Sequence, residues 1–219
     1  MLRVFGKLIT ISGLDGAGKT TQIDLMTRYL NDQNISVRYV WSRGGYTPGF
    51  LLLKDVIRKL AGKKVPSAGR TSEREKKLKN PKIAKLWLTI AIIDMFFLYV
   101  VYFRLLMLLR KTIIADRYIW DTLIDFRLNF EVIDIEKMFL WKLLVFCSPI
   151  PDYPLYLDIP LEVSVDRLSR KDEPFPDSEE TLSNRLDNYK KLNEQANWKS
   201  VDAIQPIENV YDDIIKVIK

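Results

Sequence analysis

The 219 residues suffice for one compact domain with a substantial core, and the 47% hydrophobic content is that of an ordinary folded protein. A lone cysteine, Cys147, excludes an intrachain disulfide, and the absence of histidine leaves carboxylates, lysines or the substrate itself as general bases. The formal charge of +6 is uneven: eleven basic and two acidic residues between Arg58 and Lys85 put that stretch at +9 and the remainder at −3. No aromatic side chain interleaves that basic tract for base stacking, so no nucleic-acid partner is expected. Residues 1–7 lack the apolar stretch of a signal peptide, which together with the cysteine usage predicts a cytoplasmic location.

Strand-like and helix-like segments alternate along the chain. Lys7–Ser12 reads as a strand ending in a glycine-rich turn, Thr20–Leu30 as a helix, Ser36–Trp41 as a second strand and Gly49–Leu60 as a helix. Ala61–Asn80, rich in Gly, Pro and Lys, reads as a basic loop insertion, and Ile83–Leu109 as a long apolar helix. Thr112–Ala115 is the third predicted strand, with helices over Tyr118–Phe130 and Ile135–Phe146. Tyr153–Asp158 is the fourth strand, and a helix begins at Pro160 and runs to Ser169. The proline-interrupted loop Lys171–Ser178, a helix over Glu179–Asn197, a last strand at Val201–Ile204 and a helix over Pro206–Ile218 complete the chain. This alternation predicts an α/β fold over residues 1–219 as one domain: a three-layer arrangement with a parallel five-stranded sheet flanked by helices.

The stretch Leu86–Leu109 is long enough to span a bilayer, but Asp94 and Arg104 interrupt it and it lies between two strands of one sheet. A helix apolar nearly all round must be covered. The expectation is burial on one side and a homodimer partner on the other, over residues 83–109, with contact to a membrane surface ranked below it.

Gly13-Leu14-Asp15-Gly16-Ala17-Gly18-Lys19-Thr20 fits G-x-x-x-x-G-K-[ST], placed between a strand and a helix. Glycines let successive backbone N–H groups face phosphates, and the following helix adds the positive end of its dipole. Lys19 is expected to reach the β- and γ-phosphates of ATP and Thr20 to ligate Mg²⁺, with Gly13, Asp15, Gly16, Ala17, Gly18 and Thr21 completing the nucleotide cradle.

Ile9 through Gln22 resembles the opening of thymidylate kinases. Asp116-Arg117-Tyr118, Tyr156-Leu157-Asp158-Ile159-Pro160 with Glu162-Val163, and Val201-Asp202-Ala203 with Ile207-Glu208-Asn209-Val210 resemble later segments of that family in the same order. The resemblance implies ATP-dependent phosphoryl transfer to a nucleoside monophosphate, most simply dTMP to dTDP. It implies further that Asp116 organises Mg²⁺ or its water, that Arg117 and Arg43 hold the acceptor phosphate, and that Asp15 is the acidic residue of the loop. With no arginine in the loop itself, the resemblance places catalytic arginines in a lid over about 167–180, where Arg167 and Arg170 stand.

Three departures fall on the acceptor side. Asp94 is followed by Met95 where the family carries an arginine beside the base; the proline before Gly44-Gly45 is absent; and Asp121 replaces a common serine, with Asp125 four residues on. A monophosphate dianion needs arginines and no base, whereas a sugar or nucleoside hydroxyl gains from a carboxylate. A hydroxyl acceptor with Asp121 as base is therefore the alternative, and a nucleotide-binding protein without catalysis a third reading.

Overall fold

The computed structural model describes residues 6–42, 80–170 and 177–218. The helix expected at Gly49–Leu60 and nearly all of the basic loop lie outside them. The chain divides into two compact units. One comprises Met1–Trp41, Leu105–Trp120 and Ile150–Lys219; the other comprises Ser42–Arg104 and Asp121–Pro149.

The first unit holds the sheet. Its strands are β1 (Leu8–Gly13), β2 (Val37–Trp41), β3 (Thr112–Asp116), β4 (Tyr153–Asp158) and β5 (Lys199–Asp202), in the order β2-β3-β1-β4-β5. Every pairing is parallel, as the alternation predicted. β1 is buried along its whole length, as a central strand covered on both faces must be. Register brings Ile11 beside Asp116 on one side and Leu155 on the other, so β1 and β3 reach the same edge of the sheet just before the glycine-rich turn and Arg117. β5 lies two residues earlier than expected. The Asp202 carboxylate accepts the Ile204 N–H at 3.0 Å, a local side-chain turn that ends the ladder before Val201–Ile204 can extend it.

Helices flank this sheet: α1 (Lys19–Asp32), α6 (Leu161–Ser169), α7 (Glu179–Ala196) and α8 (Ile207–Ile218). Pro160, expected inside the first turn of α6, is instead its cap, with extended backbone. α7 is capped by the Ser178 hydroxyl, which accepts the Thr181 N–H at 3.2 Å, with Glu179 and Glu180 favourably placed at the positive end of the dipole.

The second unit is helical. α2 (Pro81–Phe96) opens with Asn80 accepting the Lys82 N–H at 3.0 Å and with Pro81 at the first position. The predicted long helix forms with one irregularity: Phe97–Tyr102 is a π-helical turn, and α3 (Phe103–Leu108) follows. The wide turn seats Tyr99, which is fully buried, so that its hydroxyl meets Ser42 Oγ at 2.9 Å and Thr122 Oγ1 at 2.8 Å. The ring of Tyr99 packs edge-on against Phe103 with centroids 5.5 Å apart. Thr122 lies on α4 (Ile119–Asn129). The helix expected over Ile135–Phe146 is broken at Met138, whose extended backbone separates a 3₁₀ turn (Ile135–Lys137) from α5 (Phe139–Cys147).

Apolarity is not spent evenly around the long helix. Ala84, Leu88, Ile92, Met95, Tyr99 and Phe103 form its buried stripe, while Leu86, Ile93, Phe97 and Val101 are about half exposed or more. By length and composition the 28-residue Pro81–Leu108, with a mean hydropathy of 2.1 over its most apolar 18 residues, meets the requirement for a membrane span; 39% of that 18-residue stretch is buried in the protein.

Candidate active site

The glycine-rich loop forms where β1 hands over to α1. Gly13 has φ 144°, and a Cβ there would stand 2.7 Å from the Leu157 carbonyl oxygen, so the strand can leave the sheet here only as glycine. Gly18 caps α1 at φ 83° without any side-chain cap. A Cβ on Gly18 would meet no atom of the described residues within 4 Å. A 14-residue helix thus starts at the loop with no side-chain cap, and a helix N-terminus of this kind can receive an anion. Thr20 and Thr21 are exposed in that first turn.

Lys19 is buried and lies back along the loop. Its Nζ donates to the carbonyls of Gly13 at 3.0 Å and Leu14 at 2.7 Å, and stands 3.7 Å from Asp15 Oδ1. Asp15 in turn accepts from Arg117 Nη2 in a short ion pair. Arg117 follows β3 in the left-handed region at φ 73°, a conformation that costs a non-glycine residue about 1–3 kcal/mol. Its N–H donates to Ile11 at 3.0 Å, fixing the backbone from which the buried side chain departs. Arg117 Nη1 donates to Tyr189 Oη at 3.1 Å, and Tyr189 Oη donates to the Gly13 carbonyl at 3.3 Å.

α6 closes on the other side of the loop. Ser164, wholly buried, donates to the Asp15 carbonyl at 2.6 Å. Arg167, one turn on, donates to the Gly16 carbonyl at 3.2 Å and to the Ala203 carbonyl at 3.0 Å. Arg170 takes a different direction: exposed, it pairs with Asp166 of its own helix at 2.9 Å. At the end of β3 the buried Asp116 accepts from Tyr39 Oη at 3.4 Å. Partial burial, and then the Asp116 carboxylate beside it, push the Tyr39 phenol up to about 12. A groove of about 620 Å³, lined among others by Asp158, Lys190, Asp202 and Ile204, opens at the carboxyl ends of β4 and β5, where open parallel sheets take ligands.

The structure thus brings Gly13, Asp15, Gly16, Lys19, Arg117 and Arg167 together around one loop in the first unit. Asp94 and Asp121 lie in the second unit, and Arg43 lies outside the described residues. Asp121, Thr122 and Asp125 are buried on α4. Burial, the largest influence, raises the Tyr99 phenol far above its ordinary range, with the carboxylates of Asp121 and Asp125 adding to it.

Mg²⁺ and ATP fit the residues present. Gly18 leaves room above the loop for a phosphate chain, and the amine of Lys19 needs only to exchange carbonyl for phosphate oxygens. Among the described residues no group of three or more Asp, Glu, His or Cys side chains could cage a metal. A cation held by Thr20 and Asp116 would share ligands with phosphate and water, the coordination Mg²⁺ favours.

Two participants were not evident in the sequence, Ser164 and Tyr189. Tyr189 carried a signal: it lies four residues beyond Arg185 on the inner face of α7, and a buried tyrosine needs a partner for its hydroxyl.

Comparison with known proteins agrees with this geometry. The family model described as thymidylate kinase matches residues 99–214. The chain is 28% identical to a thymidylate kinase of Prochlorococcus marinus (strain NATL2A), over 98% of this chain and 96% of the relative. It is 26% identical to a thymidylate kinase of Clostridium novyi (strain NT), over 98% of each. It is 23% identical to that of Plasmodium falciparum (isolate 3D7), over 97% of this chain and 90% of the relative. With a phosphate-binding turn at the end of β1, an arginine tied to it from the end of β3, and likeness running the length of the chain, this protein belongs to the thymidylate kinase family.

Proposed function

We propose that the chain transfers the γ-phosphoryl group of ATP to a nucleoside monophosphate, with dTMP the expected acceptor and dTDP and ADP the products. The observation that carries this reading is the tie between Arg117 and the phosphate-binding loop through Asp15. A monophosphate acceptor attacks through its own phosphate oxygen, so the reaction needs no general base, and the chain has no histidine to supply one. It needs cations that hold two sets of phosphate oxygens in line.

In this reading Lys19 leaves the Gly13 and Leu14 carbonyls for the donor phosphates, and the N-terminus of α1 stabilises the charge there. Arg117 and Arg43 orient the acceptor phosphate. Thr20 and Asp116 hold Mg²⁺ and its water, and the ion, when bound, neutralises charge on the β- and γ-phosphate oxygens. Arg167 braces the loop through Gly16 and the turn after β5 through Ala203; acting as a lid arginine would require it to leave those carbonyls. Arg170, exposed and among the described residues paired with Asp166 of its own helix, does not brace the loop in this way.

ADP release from Mg·ATP with dTMP, the other nucleoside monophosphates, and a panel of nucleosides and sugars tests the proposal. Turnover confined to dTMP, or to dTMP and dUMP, supports it. ATP binding with no turnover of any monophosphate overturns it and turns attention to a hydroxyl acceptor and Asp121. The exposed stripe of Leu86, Ile93, Phe97 and Val101 supports a homodimer through the long helix. Sedimentation is expected to show a dimer at micromolar concentration that Phe97→Glu dissociates; a monomeric wild type overturns it.

A further inference from the structure

We infer that Tyr189 is a positioning residue for the transfer: its hydroxyl aims the Arg117 guanidinium at the acceptor phosphate and locks that aim to the phosphate-binding loop. The inference rests on the reading of Arg117 as an acceptor-phosphate donor.

The argument starts from the hydroxyl. A phenol has one proton to donate and lone pairs to accept with. Tyr189 uses both within the site, accepting from Arg117 Nη1 at 3.1 Å and donating to the Gly13 carbonyl at 3.3 Å. Arg117 Nη2 is committed to Asp15. Two different nitrogens of one planar guanidinium are therefore held from two directions, and a plane pinned at two points cannot swivel about its last bond. The backbone of Arg117 is fixed as well, by its N–H to Ile11 at 3.0 Å.

The position of the hydroxyl is itself determined. Tyr189 is 1% exposed, and its ring is enclosed by Tyr156 and Trp198, with centroids 5.2 and 5.4 Å away. Tyr156 and Trp198 stack on each other at 5.3 Å. This cage is built from Tyr156 of β4 and from Trp198, which immediately precedes β5, so the hydroxyl is placed by the frame of the sheet and not by the loop it contacts. That distinguishes Tyr189 from Asp15, which belongs to the loop and moves with it.

The Gly13 carbonyl gives the contact a second consequence. It accepts from both Lys19 Nζ and Tyr189 Oη. Once Lys19 turns to the donor phosphates, Tyr189 remains as a donor to that buried carbonyl, and the loop keeps its shape through the exchange. One hydroxyl thus links the residue that engages the donor to the residue that engages the acceptor.

The test is steady-state kinetics with dTMP and Mg·ATP on the wild type, Tyr189→Phe, Arg117→Ala and the double variant. Phenylalanine keeps the caged ring and removes only the hydroxyl. Tyr189→Phe is expected to raise the KM for dTMP about tenfold, the scale of one hydrogen bond to a charged group. kcat and the KM for ATP should change less than the KM for dTMP, and the thermal midpoint should fall by only a few degrees, the loss of one buried hydroxyl. In the Arg117→Ala background the same change is expected to move the dTMP KM less than about twofold, because the residue it acts through is gone. An equal effect in both backgrounds, or no effect of Tyr189→Phe where Arg117→Ala raises the dTMP KM, overturns the inference and leaves the role of Arg117 standing. An Arg117→Ala enzyme with unchanged dTMP KM overturns the reading of Arg117 and the inference with it, as does a wild type that does not turn over dTMP.

Discussion

In the sheet-bearing unit, buried charge gathers around one backbone turn. Lys19, Arg117 and Asp15 satisfy one another and the carbonyls of Gly13 and Leu14, and Ser164, Arg167 and Tyr189 close on the same few atoms. In the helical unit, buried polarity runs along a chain of hydroxyls, Ser42 to Tyr99 to Thr122, set in an apolar helix pair with Asp121 and Asp125 on the same α4. The first arrangement can open: Lys19 and Arg167 rest on carbonyls that a phosphate can replace. The second has the character of a packing device, in which each hydroxyl needs the other to remain dry. The contrast teaches where to look for chemistry, namely at polar groups whose present partners are exchangeable.

The contrast is broken most directly at Lys19. Lys19→Ala is expected to lower kcat about a thousandfold, on the order of 4 kcal/mol of transition-state stabilisation, with the fold intact by circular dichroism. Unchanged kcat would remove the loop from the reaction altogether. Tyr99→Phe should do the reverse, costing about 1–2 kcal/mol in denaturant titration because Ser42 and Thr122 each lose that partner, while turnover per folded molecule holds. A loss of turnover without a loss of stability would make the helical unit's network part of the chemistry. Asp121→Asn sharpens the same point and is expected to leave dTMP turnover within about threefold of the wild type. Abolished turnover with intact ATP binding would identify Asp121 as a base and a hydroxyl as the acceptor.

The smallest effect concerns Tyr39. Its phenol titrates at about 12 in the folded state against an ordinary 10, so the folded state holds this proton more tightly. That contribution to stability is fully present below pH 10 and is lost as pH rises toward 12. Tyr39→Phe should therefore flatten the alkaline fall in stability over that window and leave neutral pH unaffected. An unchanged alkaline profile would show that the Asp116 contact does not hold the phenol protonated.

How far each unit was legible follows from the same contrast. The phosphate-binding loop is written in residue types that backbone geometry demands, glycines at φ 144° and 83° followed by Lys19, and it stands where its spacing placed it. β1 and β3 were legible because strands buried on both faces are apolar runs between helices, whereas the edge strands β2 and β5 are largely exposed. β5 slipped by two residues because the Asp202 side chain, not a hydrophobic pattern, ends it. The π-helical turn at Phe97–Tyr102 left no trace in apolar periodicity, since its segment is hydrophobic enough for any register, and the break at Met138 falls where the charged Ile135–Lys137 turn meets an apolar helix. Ser164 and Tyr189 reach the loop from elements more than a hundred residues away, and no local spacing encodes such a meeting.

The resting position of Lys19 has a consequence for selectivity. The amine already sits on two carbonyl oxygens, so the protein supplies an internal competitor for its own phosphate site. A ligand displaces that competitor only if it brings enough negative charge to outbid two carbonyl oxygens and the Asp15 carboxylate 3.7 Å away. Adenosine has none, and each added phosphate raises the leverage. Affinity should therefore climb steeply from nucleoside to triphosphate, and the same lysine that receives ATP acts, while at rest, as a gatekeeper against uncharged nucleosides.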